Sequence, residues 1–133
     1  MKNQLCTSLF VFFLTLGTHA QVWTIDPNHS SIMFNAKHSG ISFVNGRFME
    51  FEATVKGGTP LDFTGAQVSF QAQVGSVSTG AEGRDKHLKS SDFFDMENYP
   101  TIPFISKSFI KSSEKKYKVV GDLTMRGNTK EVI

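Results

Sequence analysis

The chain has 133 residues, 14 Lys and Arg against 12 Asp and Glu, a formal net charge of +2 and a single cysteine. A balance so near neutrality excludes a general nucleic-acid binder, which needs a strongly basic face, and one cysteine excludes an internal disulfide scaffold. The length suits one domain around one hydrophobic core.

The first twenty residues read as an export signal. Lys2 gives a positive start, Leu5 to Leu16 an apolar run, and Thr18-His19-Ala20 the small residues at minus three and minus one that a signal peptidase accepts. The run is about a dozen residues, whereas a spanning helix needs roughly 20. Cleavage after Ala20 is therefore expected, rather than a retained anchor. A lipidated cysteine would have to follow the apolar run, and Cys6 does not. The mature chain would be a single domain over 21–133, exported to the periplasm or the medium. It would have no cysteine and an aromatic-rich interior.

Periodicity along that domain is two. From Ser30 to His38, Ile32, Phe34 and Ala36 share a face opposite Ser31, Met33, Asn35 and Lys37. After Gly46, where a strand can bend, Met49, Phe51, Ala53 and Val55 alternate with Glu50, Glu52, Thr54 and Lys56. The cleanest alternation sets Val68, Phe70, Ala72 and Val74 against Gln67, Ser69, Gln71 and Gln73. Between this strand and the next lies a charged, aromatic block, Arg84-Asp85-Lys86-His87-Leu88 followed by Asp92-Phe93-Phe94-Asp95 and Tyr99-Pro100. Glu82 with Lys86, and Asp85 with Lys89, are i,i+4 pairs that suit a short exposed helix. Further strands are expected at Ile102 to Ile110 and Tyr117 to Met125, the second turning Tyr117, Val119, Leu123 and Met125 to one side. Turns are expected at Gly57-Gly58-Thr59-Pro60, Ser112-Ser113-Glu114 and Gly127-Asn128.

Strands with one apolar and one polar face fit a sandwich or a closed barrel. Expected lengths of about nine to eleven residues, with glycine bends, favour an all-β antiparallel barrel. A small barrel either fills with side chains or holds one ligand. Ala36, Ala53 and Ala72 among large neighbours leave both outcomes open.

Five blocks resemble the YceI-like family. They are His29-Ser30-Ser31, His38-Ser39-Gly40, Val44-Asn45-Gly46-Arg47-Phe48, the RDxHL block at Arg84 to Leu88 with Asp92 to Asp95 and Tyr99-Pro100-Thr101-Ile102, and GDLTxRGxTK from Gly121 to Lys130. The resemblance implies a lipocalin-like antiparallel β-barrel with a short helical lid, exported, that binds an isoprenoid quinone or polyprenyl phosphate and meets a membrane transiently. It implies no cofactor apart from the bound lipid. Members of the family extend several dozen residues beyond the last block, whereas this chain stops at Ile133 as a strand begins. A C-terminally truncated sequence is therefore expected, since the missing strands would leave an open edge; a genuinely short protein would need a partner strand, as from a second copy in a homodimer.

On that reading Ile32, Phe34, Met49, Phe51, Val68, Phe70, Phe104, Leu123 and Met125 line the apolar tunnel, or else are plain core. Arg84, Asp85, His87, Phe93, Phe94 and Arg126 form the lid or meet the head group, because a phosphate or quinone carbonyl needs donors beside an apolar tunnel. The same block has a plainer role, in which Phe93 and Phe94 plug one end of the barrel while Arg84 and Asp85 brace the lid. Two other function classes stay open. One is a structural or stress-related module with a filled core. The other is a hydrolase-like enzyme using His87 and Asp85, although no G-x-S-x-G nucleophile motif is present. His29 and His38 are about 30 Å apart on an extended strand, too far to share a metal, though either could join His87. No metal site is expected.

Overall fold

The computed structural model describes residues 21–133; the expected signal segment lies outside the described residues. Each alternating stretch forms a strand. In chain order they are β1 (Val22–Thr24), β2 (Ile32–His38), β3 (Ser42–Phe48), β4 (Phe51–Lys56), β5 (Gln67–Gln73) and β6 (Val77–Ser78). Helix α1 (Glu82–Lys89) follows, then β7 (Thr101–Ser113), β8 (Lys116–Met125) and β9 (Asn128–Val132). Among the described residues these strands build two antiparallel sheets, ordered β1-β4-β5-β7-β8-β9 and β2-β3-β6. The result is an antiparallel lipocalin-like barrel with a short helical lid, not closed in these residues.

The core sits where the two sheets and the lid converge. Phe48 and Val77 of the small sheet pack with Ala72 and Ile102 of the large one and with Val74, which follows β5 in a 3-10 turn (Val74–Ser76), and Leu88 and Phe94 of the lid region cover them. Register explains the shared face. Phe51 opposes Ala72, and Ala72 opposes Ile102; one step along, Ala53, Phe70, Phe104 and Leu123 form a second row across four strands. Phe70 and Phe104 stack with ring centroids 5.0 Å apart. Burying each large side chain of this kind contributes about 1.5–3 kcal/mol, which supplies the drive to hold the sheets together without a disulfide.

Four expectations need correction. The segment around Gly46 and Met49 is two strands in different sheets, with the chain crossing between them at Met49-Glu50. Gly46 is not a bend. It lies directly opposite Phe34 in β2, whose ring covers it and leaves no room for a Cβ. Most strands have seven residues or fewer; the longer ones are β7 with 13 and β8 with 10. A bulge between Ser106 and Ser108 lets β7 stay paired while its pattern changes face. The final hairpin turns on Arg126-Gly127 rather than Gly127-Asn128, both at positive φ, with Met125 opposite Asn128.

Apart from the lid, a second aromatic cluster joins β1, β7, β8 and the β4–β5 loop. Trp23 packs on Phe63, Phe63 on Tyr117, and Tyr117 on Phe109, with centroids 5.8, 6.2 and 6.1 Å apart. Asp62 fastens it. Its carboxylate accepts from the Thr64 hydroxyl at 2.7 Å, the Thr64 N–H at 2.9 Å and the Tyr117 hydroxyl at 3.0 Å, with Lys111 at 3.7 Å. These donors, those of Thr64 foremost, hold its pKa down at about 2. A folded pKa below the ordinary value of about 4 gives stability that is complete above pH 4 and lost as pH falls toward 2. Asp62→Asn should therefore have a lower Tm than the parent at pH 7, with the gap constant to about pH 4 and closing by about pH 2. Parallel thermal melts across that range check this; a gap independent of pH would assign the effect to packing instead.

Candidate functional site

Helix α1 is short, and its N-cap Ala81 supplies no side-chain acceptor. It is fixed from outside. The Asp85 carboxylate accepts from the Thr79 N–H at 2.8 Å and from its hydroxyl at 2.5 Å, turning to Thr79 rather than to Lys89. Arg84 donates to the same threonine, Nε to the hydroxyl at 2.7 Å and a terminal nitrogen to the carbonyl at 2.9 Å. Beyond the helix, the N–H of Phe94 returns to the Leu88 carbonyl, and that of Asp95 to Ser90. Asp95 is nearly buried at positive φ, and both of its carboxylate oxygens accept from Asn98. These bonds compensate the strained backbone and hold the two neighbouring phenylalanines in opposite directions.

Phe94 turns inward onto Phe48 at 5.9 Å, as a plug. Phe93 stays half-exposed, edge-on to the His87 ring at 4.8 Å. His87 Nε2 is 3.0 Å from an Asp92 carboxylate oxygen. Between the helix and the inner face of the β2–β3 hairpin lies a groove of about 310 Å³. Phe34, Ala36, Val44, Leu88 and Phe93 form its apolar walls, and Lys37, His38, Arg84 and His87 contribute the polar lining.

The structure thus brings Phe34, Arg84, His87 and Phe93 into one groove. Asp85 braces the lid from behind, and Arg126 reaches the lid from the β8–β9 turn, donating to the Phe93 carbonyl at 3.4 Å. Ile32, Phe51 and Leu123 pack around the core, and Val68, Phe70 and Phe104 continue the inner face. Two expected tunnel residues lie elsewhere. Met49 occupies the crossing between sheets and is 57% exposed, and Met125 is 39% exposed at the end of β8. Ala36, expected on the inner face where a small side chain leaves volume, does line the groove, whereas Val44, directly opposite it in register, and Leu88 were not among the expected lining residues. His38 continues the inner row of β2 and joins His87 at the groove. Among the described residues, no group of three or more His, Cys, Asp or Glu is placed to share a metal.

The model for the YceI-like domain family matches residues 23–133. The chain belongs to the YceI-like family. A UPF0312 protein of Staphylococcus aureus strain MRSA252 is 40% identical over 109 residues, covering 82% of this chain and 60% of that protein. The chain therefore spans about three fifths of the length of the curated relatives it matches. The YceI protein of Campylobacter jejuni superimposes with a TM-score of 0.59 at 31% identity, over 83% of this chain and 64% of that one. BcnA of Burkholderia cenocepacia gives a TM-score of 0.69 at 24% identity, covering 81% and 67%, a likeness of fold alone. Within this YceI-like chain the RDxHL block is the lid helix, and the GDLTxRGxTK block is the β8–β9 hairpin whose turn touches that lid.

Proposed function

We propose that this YceI-like protein is an exported carrier for an isoprenoid lipid, a quinone or polyprenyl phosphate. The lipid tail lies along the aromatic inner face and its head group meets the polar edge at His38, Arg84 and His87. The observation that carries this reading is the groove beside α1, walled mainly by apolar side chains with several donors in its lining. Burial of prenyl methylenes, at roughly 0.8 kcal/mol each, supplies affinity, and the donors supply orientation. A hydrolase-like centre would need His87 and Asp85 on one proton path. They hold separate partners instead, Asp92 and Thr79. Export follows from the expected signal at residues 1–20.

Organic extraction and mass spectrometry of the protein purified from its native compartment tests the proposal. An isoprenoid is expected; its absence, together with no uptake of added quinone or polyprenyl phosphate, would reject it. Ala36 offers a sharper probe because it is exposed on a groove wall. Ala36→Phe should fill the groove and lower isoprenoid uptake at least tenfold with Tm unchanged, whereas Glu52→Lys on the opposite face of β4 should leave uptake intact. Equal behaviour of the two variants would place the ligand elsewhere.

A further inference from the structure

The β2–β3 hairpin has a feature that a carrier interior does not require. Its outward row pairs Met33 with Arg47, Asn35 with Asn45, and Lys37 with Phe43. Met33 is 72% exposed and Phe43 62%, and Ile41, in the turn, is 91% exposed. Large apolar side chains grouped this way on one projecting element mark a contact surface rather than chance exposure. Charge identifies the kind of partner. From Asn28 to Met49 the chain carries Lys37, Arg47, His29 and His38 and no Asp or Glu. The outward row is therefore apolar and cationic together, whereas the inward face of the same two strands forms the groove wall through Phe34, Ala36 and Val44, with Lys37 bordering the groove as well.

We propose that this hairpin docks the protein on an anionic lipid bilayer, with Ile41 and Phe43 entering the headgroup boundary and Lys37 and Arg47 against the lipid phosphates. Apolar insertion flanked by cations is the arrangement that favours interfacial binding to anionic membranes. The turn supports a protruding tip. Ser39 and Gly40 both take positive φ, and Ile41 N–H returns to the His38 carbonyl at 3.3 Å. Docking there sets His38 and the adjacent groove, with its half-exposed Phe93, beside the bilayer from which a lipid would leave. The meaning for transfer rests on the carrier reading, but the docking itself does not require cargo.

Co-sedimentation with vesicles of phosphatidylcholine containing about one third phosphatidylglycerol tests this. Every variant is compared with the parent purified from the same compartment, so any contribution of residues 1–20 cancels. The parent is expected to bind these vesicles, to bind pure phosphatidylcholine weakly, and to lose binding in high salt, since the headgroup attraction is screened. Ile41→Asp with Phe43→Asp should lower partitioning at least tenfold. Arg47→Glu, which exchanges a cation for an anion away from the groove, should lower it about fivefold or more. Leu61→Asp, an equally exposed apolar residue on a different loop, should change nothing. Undiminished binding of the hairpin variants would overturn the proposal. So would equal binding to neutral vesicles, or a parent dimer that Ile41→Asp dissociates, since the patch would then join two copies. Isoprenoid uptake in micellar solution separates the two readings. Variants that take up lipid but miss vesicles support docking, whereas vesicle binding by a protein that never takes up isoprenoid removes the carrier reading alone.

Discussion

Replacing Gly121 with valine is expected to abolish cooperative folding, and even Gly121→Ala should lower stability by about 1–3 kcal/mol, as overpacking of a filled site does. A Cβ at Gly121 would stand 2.5 Å from the Ile105 carbonyl oxygen and 2.5 Å from Cζ of Phe104. The first obstacle is backbone. Ile105 pairs with Asp122 in the β7–β8 ladder and cannot retreat without parting the strands. The second is a ring already stacked on Phe70, so its displacement would disturb the inner row across β5 and β7. Gly46 makes an instructive contrast, because the nearest obstacle there is a side chain, the Phe34 ring, rather than backbone. Gly46→Ala should accordingly be milder, at the cost of turning a ring into the groove. Urea midpoints of the two alanine variants measure the difference. An unchanged midpoint for Gly121→Ala would mean that β7 and β8 are not held as closely as the register requires.

Those two glycines also show where the sequence speaks and where it is silent. The row from Val68 to Ala72 was legible because its alternation keeps one parity throughout and both neighbours bury the same face; Val74, expected as its next member, instead begins a 3-10 turn. The split between β3 and β4 was available in principle. Val44, Gly46 and Phe48 occupy even positions, whereas Phe51, Ala53 and Val55 occupy odd ones, and a change of parity marks the crossing between sheets. Taking Met49 with the second row concealed it. The bulge near Lys107 works likewise, shifting the inner face from Phe104 and Ser106 to Phe109. It also leaves Lys107 between two carboxylates that would otherwise repel, Asp122 at 2.6 Å and Glu131 at 3.0 Å, and both raise its pKa. The lid helix could be anticipated from its charged block, and its family from the motif. That Phe94 enters the core while Phe93 stays at the groove could not, because Asp95 at positive φ decides it through bonds to Ser90 and Asn98. Asp62 and Tyr117 lie 55 residues apart, and no local pattern announces their bond.

The second large effect is expected at Phe48, where stability and the candidate site meet. Its ring is 6% exposed and lies between Phe34, 5.6 Å away on the groove wall, and Phe94, 5.9 Å away in the lid. Phe48→Ala should cost about 3–5 kcal/mol, a large share of a total that for a domain of this size is only about 5–15 kcal/mol. The cavity would have a particular consequence because of what borders it. Phe94 would lose its aromatic partner and Phe34 its support, so the lid would loosen and the groove would lose shape while the β4-β5-β7-β8 ladder persisted. Val74→Ala serves as the comparison. Val74 is fully buried in the same core cluster with its N–H bonded to the Pro100 carbonyl, but as an aliphatic side chain it takes no part in the ring pairs that join Phe48 to Phe34 and Phe94. Amide exchange under native conditions distinguishes the two variants. In Phe48→Ala, residues 85–96 should exchange faster out of proportion to the global loss, and isoprenoid uptake should fall even where the protein is still folded. In Val74→Ala, exchange should rise evenly and uptake should follow the folded fraction. If both variants gave the even pattern, Phe48 would be core alone, and the lid would be positioned by Thr79, Asp85 and Asp95 without help from the plug.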